Sequence, residues 1–251
     1  MMTLSDYIAD NISESILSST RTGKMHIDEE FKKYGLEPAK ATLNADGTID
    51  YDGDVLLQFN GLTKLPFKFR KVTGCFYCYH NALTTLEGAP DTVGDTFNCA
   101  SNNLTNLDHC SQVVKGSFYC YNNSLTSLKG GPEQVRGNFY CHENKLVTLE
   151  GAPGVIEGDF NCSHNNLTSL KHSPKVIKGS FNCYTNRLTS LKGGPEQVYA
   201  SYDCSFNKLT SLEGLPKKLK GNFFCNYNPA AFTKEDVLAL CNIKEQSIHL
   251  T

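Results

Sequence analysis

The sequence lacks the features that most often reveal a nucleic-acid-binding, membrane or secreted protein. The formal net charge is -2, so the chain as a whole has no strong electrostatic attraction to nucleic acid or to an anionic membrane. No apolar run approaches the length of about 18 residues that a membrane-spanning helix needs. The first residues, Met1 to Asp6, have neither the basic nor the apolar region of a signal peptide. We therefore expect a cytoplasmic protein that binds neither nucleic acid nor membrane.

The sequence also lacks the motifs of common catalytic sites. It contains no glycine-rich phosphate loop that opens a helix, no serine elbow and no second pair of metal ligands. Its one CxxC motif runs from Cys75 to Cys78, and on a strand residues three apart point to opposite faces, so these thiols cannot share a metal. We expect Cys75 on the open face of a sheet and Cys78 in the core. The sequence thus predicts no enzyme, no metal and no cofactor.

What the sequence does contain is a repeat of 21 residues. Its clearest mark is a column of eight evenly spaced cysteines, each with an aromatic residue two positions before it and an asparagine three positions after it. The cysteines are Cys78, Cys99, Cys120, Cys141, Cys162, Cys183, Cys204 and Cys225. The full period reads G-x-F-x-C-x-x-N-x-L-T-x-L-x-G-x-P-x-x-V-x, as in residues 137–157, and one further unit begins at Gly53. Nine units are therefore visible, in residues 53–228.

The spacing within the period predicts the role of each column. Phe and Cys are two residues apart, so on a strand both point to one side. We expect them to form one elongated core with the Leu and Val/Ile columns, while the strands pair in parallel at roughly 4.8 Å spacing into a sheet about 40 Å long. The asparagines sit where the chain leaves the strand, and their amides can bond to the backbone groups that this bend leaves unpaired. Gly and Pro then favour extended or single-turn segments on the other side of each unit.

The repeat resembles that of leucine-rich-repeat proteins. The family pattern L-x-L-x-x-N-x-L is met by Phe139, Cys141, Asn144 and Leu146, and the period lies within the family's usual range of about 20–29 residues. The resemblance implies a horseshoe-shaped solenoid with a curved parallel β-sheet on its concave face and an irregular or extended convex face.

Both ends of the repeat array have the character of caps, which an open solenoid needs to cover its core. The pattern predicts an amphipathic helix from Thr3 to Ser19, a shorter helix from Ile27 to Tyr34, a hairpin around Asp46-Gly47 and a brief helix from Glu235 to Cys241. The expected organisation is a helical leader and cap (1–41), a capping hairpin (42–52), nine leucine-rich repeats (53–228) and a C-terminal cap (229–251).

Several phrases resemble leucine-rich-repeat proteins encoded by tailed bacteriophages. These are the segments 44–50 and 62–69 and the recurring pattern L-T-S-L-x-G-x-P. The N-terminal segment 14–20 resembles a leader sequence that occurs on phage proteins of several kinds. The resemblance covers most of the chain. It implies a repeat scaffold made in the cytoplasm of an infected bacterium, with no shared catalytic residues.

Aromatic residues on both sides of the Cys column suggest where the protein binds. Tyrosine suits recognition because it offers a large contact area, few rotatable bonds and a polar tip. Strand propensity alone would also explain tyrosine, but it would equally admit Val, Ile and Thr, and these are scarce at the same positions. The candidate binding residues, including flanking turn positions, are Tyr77, Tyr79, Tyr119, Tyr121, Tyr140, His142, Asn161, His164, Tyr184, Asp203, Phe206 and Phe224.

A catalytic role for this face is the weaker alternative. His80 and His142 lie three repeats apart, about 14 Å at the spacing of a sheet, which is too far for one metal ion. A small polar site around His142, Glu143 and His164 stays open.

Three functions remain open from the sequence. The first is a scaffold that grips a partner protein, plausibly as a phage inhibitor of a host defence protein. The second is a structural or adhesive protein carried in the virion, and the third is a binder of a small ligand such as a nucleotide. Self-association through the aromatic face is compatible with each of them.

Overall fold

Short parallel strands recur in every repeat and stack into two long sheets. The computed structural model describes residues 28–250 and shows a parallel β-solenoid. One sheet, which we call the Phe sheet, has ten strands. In chain order they are β3 (Val55–Leu56), β5 (Phe76–Tyr77), β7 (Phe97–Asn98), β9 (Phe118–Tyr119), β11 (Phe139–Tyr140), β13 (Phe160–Asn161), β15 (Phe181–Asn182), β17 (Tyr202–Asp203), β18 (Phe223–Phe224) and β19 (Ile248–His249).

The second sheet, which we call the Val sheet, has nine strands. They are β1 (Ala41–Leu43), β2 (Ile49–Tyr51), β4 (Phe69–Val72), β6 (Thr92–Val93), β8 (Val113–Val114), β10 (Gln134–Val135), β12 (Val155–Ile156), β14 (Val176–Ile177) and β16 (Gln197–Val198). All its pairs are parallel except that of β1 with β2, in which Ala41 faces Tyr51. This antiparallel pair is the hairpin that the sequence predicts around Asp46-Gly47.

The predicted core columns are confirmed. The Phe, Cys and Leu side chains of the repeats are buried and form one continuous cluster with the Val/Ile column. Because the strands pair in register, each core ring meets its equivalent one repeat away; the centroids of Phe118 and Phe139 are 5.0 Å apart. One repeat carries Tyr202 in the Phe column, and its buried hydroxyl has no nitrogen or oxygen partner among the described residues. Its neighbour Cys183 offers only a thiol, which is a weak partner.

The predicted asparagine ladder is also present. Nδ2 of Asn102 donates to the carbonyl oxygens of Cys78 (3.0 Å) and Cys99 (3.1 Å), and its Oδ1 accepts from the backbone N–H of Leu83 at 3.0 Å. Each amide thereby bonds to its own repeat and to the repeat before it. The same donation to the carbonyl of the residue three positions earlier is made by Asn81, Asn123, Asn144, Asn165, Asn186, Asn207 and Asn228.

The side opposite the Phe sheet differs from the expected irregular convex face. Its Val/Ile column forms the Val sheet, in which Val93 pairs with Val114 and the N–H of Lys115 donates to the carbonyl of Val93 at 3.0 Å. Because the period is constant, the two extended residues at this point of each repeat fall beside their counterparts and can pair, and β-branched residues favour that conformation. The expectation of a single sheet was therefore wrong.

The N-terminal end of the array is covered by a helical turn and the hairpin. The chain is helical over residues 28–33, here α1, and Phe31 is fully buried with its ring centroid 4.7 Å from that of Phe67. Gly35, with φ of 68°, follows the helix. A short 3-10 helix, Pro38–Lys40, leads into β1. The helix predicted from Thr3 to Ser19 lies outside the described residues.

The C-terminal end contains a helix and one more strand. Helix α2 spans Lys234–Leu240, close to the helix predicted from Glu235 to Cys241, and begins with a capping box in which Thr233 and Asp236 bond reciprocally. Of its apolar residues only Val237 is buried, whereas Leu238 and Leu240 are exposed, so the helix closes the core less fully than expected.

The tenth strand of the Phe sheet was not predicted. After a 3-10 helix, Glu245–Ser247, strand β19 pairs with β18, and Ile248 faces Phe223. The intervening helices lengthen the spacing between the paired residues Phe223 and Ile248 to 25 residues. Because this spacing differs from the repeat period, the repeat pattern did not predict the strand.

Candidate recognition surface

The centre of the open face of the Phe sheet carries four rings in mutual contact. We call Tyr119, Tyr121, Tyr140 and His142 the central aromatic cluster. Tyr121 and His142 are stacked with centroids 4.6 Å apart, and Tyr119 and Tyr140, paired across neighbouring strands, are 5.2 Å apart. Tyr140 and His142 meet edge to face at 6.0 Å. All four residues are partly exposed, so the rings support one another and still present surface to solvent.

The surroundings of Tyr121, Tyr140 and His142 favour the uncharged forms of their side chains. Burial raises the pKa of Tyr121 and of Tyr140, and for Tyr140 the nearby Asp159 carboxylate raises it further. The Tyr140 hydroxyl donates to Asp159 Oδ2 at 3.4 Å. Burial lowers the pKa of His142 below its usual value, against a smaller opposing effect of Glu143. His142 Nδ1 is buried and makes no hydrogen bond with any described residue. The cluster therefore combines apolar area with polar atoms that a partner can bind.

A second group of rings lies at the N-terminal end of the same face. Tyr77 and Tyr79 are 5.8 Å apart, Phe59 meets Tyr79 at 5.4 Å, and His80 stacks on Phe59 at 4.9 Å. The hydroxyl of Tyr77 shares a hydrogen bond with the thiol of Cys75, which raises the pKa of Tyr77. As predicted, Cys75 is partly exposed and Cys78 is buried.

The sequence reasoning did not name Phe59 as a binding residue. Phe59 precedes His80 by one period, and this column position was the signal that could have identified it. Small polar residues of the β7 repeat, including Asn98 and Ser101, separate this group from the central aromatic cluster.

Toward the C-terminal end the rings occur in pairs. Phe206 stacks on Tyr227 at 4.3 Å, and His164 meets Tyr184 edge to face at 5.0 Å. Phe224 stacks at 4.7 Å on His249 of β19. Because β19 departs from the repeat spacing, no sequence signal pointed to His249.

Two of the candidate binding residues have a local structural role. Asn161 Oδ1 accepts from the N–H of Ser163 at 3.0 Å, and Asp203 Oδ1 accepts from that of Ser205 at 2.9 Å. These bonds fix the chain where it leaves the strand, a usual role of Asn and Asp. Asn161 and Asp203 lie on the open face as predicted, but part of their bonding capacity is used within the chain.

A column of residues at the rim of the open face adopts the left-handed backbone conformation. For a residue with a Cβ this conformation is unfavourable by roughly 1 kcal/mol or more, and glycine would avoid that strain. None of the nine positions is glycine, and five carry an aromatic or histidine ring. The residues are Phe59, His80, Ser101, Asn122, Glu143, His164, Thr185, Phe206 and Tyr227, with φ between 50° and 58°. Strained backbone positions that carry side chains where glycine would be less strained often belong to functional surfaces.

The described residues offer little for metal or thiol chemistry. Within residues 28–250, no three His, Cys, Asp or Glu side chains are grouped so that they could hold a metal ion. Burial raises the pKa of column thiols such as Cys99, Cys141 and Cys183 well above the ordinary range. A protonated, buried thiol is neither a nucleophile nor a metal ligand. His142, the most buried histidine of the open face, contacts its neighbours through ring stacking.

The comparisons with known proteins leave the family open. No protein-family model matches the chain, and no curated protein is similar to it. None of the helices within residues 28–250 combines the length and the apolar character that crossing a bilayer requires.

Proposed function

We propose that this protein is a recognition scaffold whose open aromatic face binds a partner protein. The observation that carries the proposal is the central aromatic cluster, four partly exposed rings in contact on one face of a regular sheet. Protein interfaces concentrate their binding free energy in a few aromatic anchors, and Tyr is among the residues that serve most often.

The rigidity of the sheet supports this proposal. The strand beneath the cluster is bonded on both sides: the N–H of Phe118 donates to the carbonyl of Asn138, and the N–H of Phe97 donates to that of Ser117. Rings that are already ordered lose little conformational entropy when a partner binds, and this preorganisation favours affinity. The hydroxyls of the partly exposed tyrosines supply polar positions for specificity.

We infer further that the solenoid belongs to the leucine-rich-repeat type. The asparagine ladder and the period of 21 residues support this. The resemblance to phage repeat proteins supports a host protein as the partner, met in the cytoplasm of the infected bacterium. We propose a defence component that binding would inhibit.

Affinity capture from infected bacterial cells tests the proposal. We expect the immobilised full chain to retain one host protein in stoichiometric amount, which a Tyr119→Ala/Tyr140→Ala variant does not retain. Tyr199→Ala, which removes an exposed tyrosine on the Val-sheet side, is the matched control and should retain it. Capture of phage particles alone would support a role in the virion, and a small molecule released by heating would support ligand binding.

The affinity of the captured partner gives the quantitative prediction. The double change of Tyr119 and Tyr140 to Ala should weaken binding more than about 100-fold, or about 2.7 kcal/mol, because two contacting anchors are lost. The melting temperature should fall by no more than about a few degrees. Changes of Lys129, Lys171 and Lys192 to Ala should have little effect. If these lysines prove critical and the tyrosines silent, the binding site lies on the other side of the solenoid.

A further inference from the structure

A groove lies on the Val-sheet side of the solenoid, near its C-terminal end. Its volume is about 960 Å³, at the upper end of ligand-binding sites, and its lining includes four lysines and one glutamate. The lysines are Lys175, Lys217, Lys218 and Lys220, and the glutamate is Glu196. Tyr199 forms part of the wall, with Lys220 Nζ 4.8 Å from its ring centroid. None of the open-face residues lines this groove.

The lysines of the groove differ in their ion pairing from several others on this side. Lys129 pairs with Glu150 at 3.1 Å, and Lys192 pairs with Glu213 at 3.2 Å, each with an anion of the next repeat. The glutamate of the groove is likewise paired with Lys175, at 3.1 Å. The other three lysines form no ion pair with any described residue. The lining of the groove therefore carries more positive than negative charge.

The backbone that carries these lysines is held in place from both sides. Leu219 is buried and pairs with Val198, while the N–H of Asn242 donates to the carbonyl of Lys217 at 2.7 Å. Lys218 and Lys220 flank Leu219, so in this extended segment both point away from the core. The cations are thus presented together before any ligand binds.

We propose that this groove binds a ligand that carries two or more phosphate groups. Several like charges close together are unfavourable unless an anion neutralises them, and a polyphosphate places several negative charges within their reach. The cations of the lining are all lysines, and lysine ammonium groups bind phosphate as compact point charges. The source is either an inorganic polyphosphate or a nucleoside polyphosphate whose base stacks on Tyr199. An acidic peptide is the competing class of ligand.

Calorimetric titration of the full chain with sodium tripolyphosphate, ATP and a hexaglutamate peptide tests the proposal. We expect both phosphate ligands to bind, and the Lys218→Gln/Lys220→Gln variant to weaken them at least 10-fold. Lys129→Gln/Lys192→Gln, which removes two ion-paired lysines of the same side, should change the affinity less than twofold. All four residues are exposed, so both variants should fold. Added salt should weaken binding, because the contacts are ionic.

The two phosphate ligands distinguish the source. Equal affinities for the two ligands indicate that the groove recognises phosphate alone. If ATP binds more tightly, and Tyr199→Ala lowers its affinity to that of tripolyphosphate, the ligand is a nucleoside polyphosphate. Either result supports the proposal. Absence of binding by both phosphate ligands at 1 mM would overturn it, as would equal weakening by the two lysine pairs or binding of hexaglutamate alone. The variant with Ala at Tyr119 and Tyr140 should bind tripolyphosphate normally, so this test is independent of the aromatic face.

Discussion

At the scale of the residue, each core side chain packs mainly against its own equivalents in neighbouring repeats. Phe160 is fully buried, and its ring lies 5.4 Å from that of Phe139 and 6.0 Å from that of Phe181. Tyr140, on the opposite face of the same sheet, is only partly buried. Aromatic side chains on one face of the strand therefore stabilise the core, whereas those on the other face form part of the exposed surface.

This difference yields a stability prediction. Phe160→Ala should lower the free energy of unfolding by about 3–5 kcal/mol, because it leaves a cavity in the aromatic stack. Tyr140→Ala should lower it by about 1 kcal/mol or less, since part of the ring is already in water. Chemical denaturation of both variants measures the two values. Equal losses would mean that the inward and outward columns are wrongly assigned.

The buried hydroxyl of Tyr202 yields a prediction of opposite sign. Tyr202→Phe should raise the free energy of unfolding by about 1 kcal/mol, because it removes a buried hydroxyl that has no nitrogen or oxygen partner and introduces the residue that most repeats carry in this column. Tyr51→Phe is the matched control, since the Tyr51 hydroxyl accepts from the N–H of Glu37 at 3.0 Å, and it should destabilise. A loss of stability in Tyr202→Phe would reveal a partner for this hydroxyl.

At the scale of the element, the turns between the sheets are set by close backbone contacts. Gly151 has φ of 98°, and a Cβ at this position would lie 2.2 Å from the carbonyl oxygen of Leu128 in the preceding repeat. The conformation and the lack of space both require glycine. Three residues later, Gly154 has open space around the position of a Cβ and no positive φ.

The two glycines form a matched pair for experiment. Gly151→Ala should lower the free energy of unfolding by about 2 kcal/mol or more, because the backbone must shift away from the preceding repeat. Gly154→Ala should change it by no more than about 0.5 kcal/mol. Thermal and denaturant unfolding of the two proteins make the comparison, and a similar loss in both would contradict the close contact at Gly151.

At the scale of the whole molecule, the solenoid is held together by packing and by backbone hydrogen bonds from repeat to repeat. All eleven cysteines are free thiols, and only Cys75 is not buried. In a solenoid each repeat is stabilised chiefly by its neighbours.

A prediction about cofactors and cross-links follows. Neither a metal chelator nor a reductant should change the far-ultraviolet circular dichroism or the unfolding midpoint, since the column thiols are protonated packing groups. The chain in buffer alone is the control. Loss of secondary structure with either reagent would show that metal ions or disulfides hold the repeats together.

Much of this architecture could be predicted from local pattern. Recurring short spacings predict the core columns of Phe160, Cys162 and Leu167 and the asparagine ladder that includes Asn165. Turn residues with a defined geometry predict the hairpin at Asp46-Gly47. Such features depend on the period of a strand and on the bonding capacity of one side chain.

The sequence by itself determined the repeat, its inward columns and the aromatic character of the open face, because these follow from spacing alone. Tertiary structure decided the features that depend on what neighbouring repeats place side by side. The residues of the Val column pair between repeats and form the second sheet. The chain passes through helix α2 before Ile248 pairs with Phe223, and Tyr121 stacks on His142 of the next repeat. The groove beside Lys218 arises in the same way, since residues of the segments 193–199 and 214–220 in successive repeats line it together with Lys175.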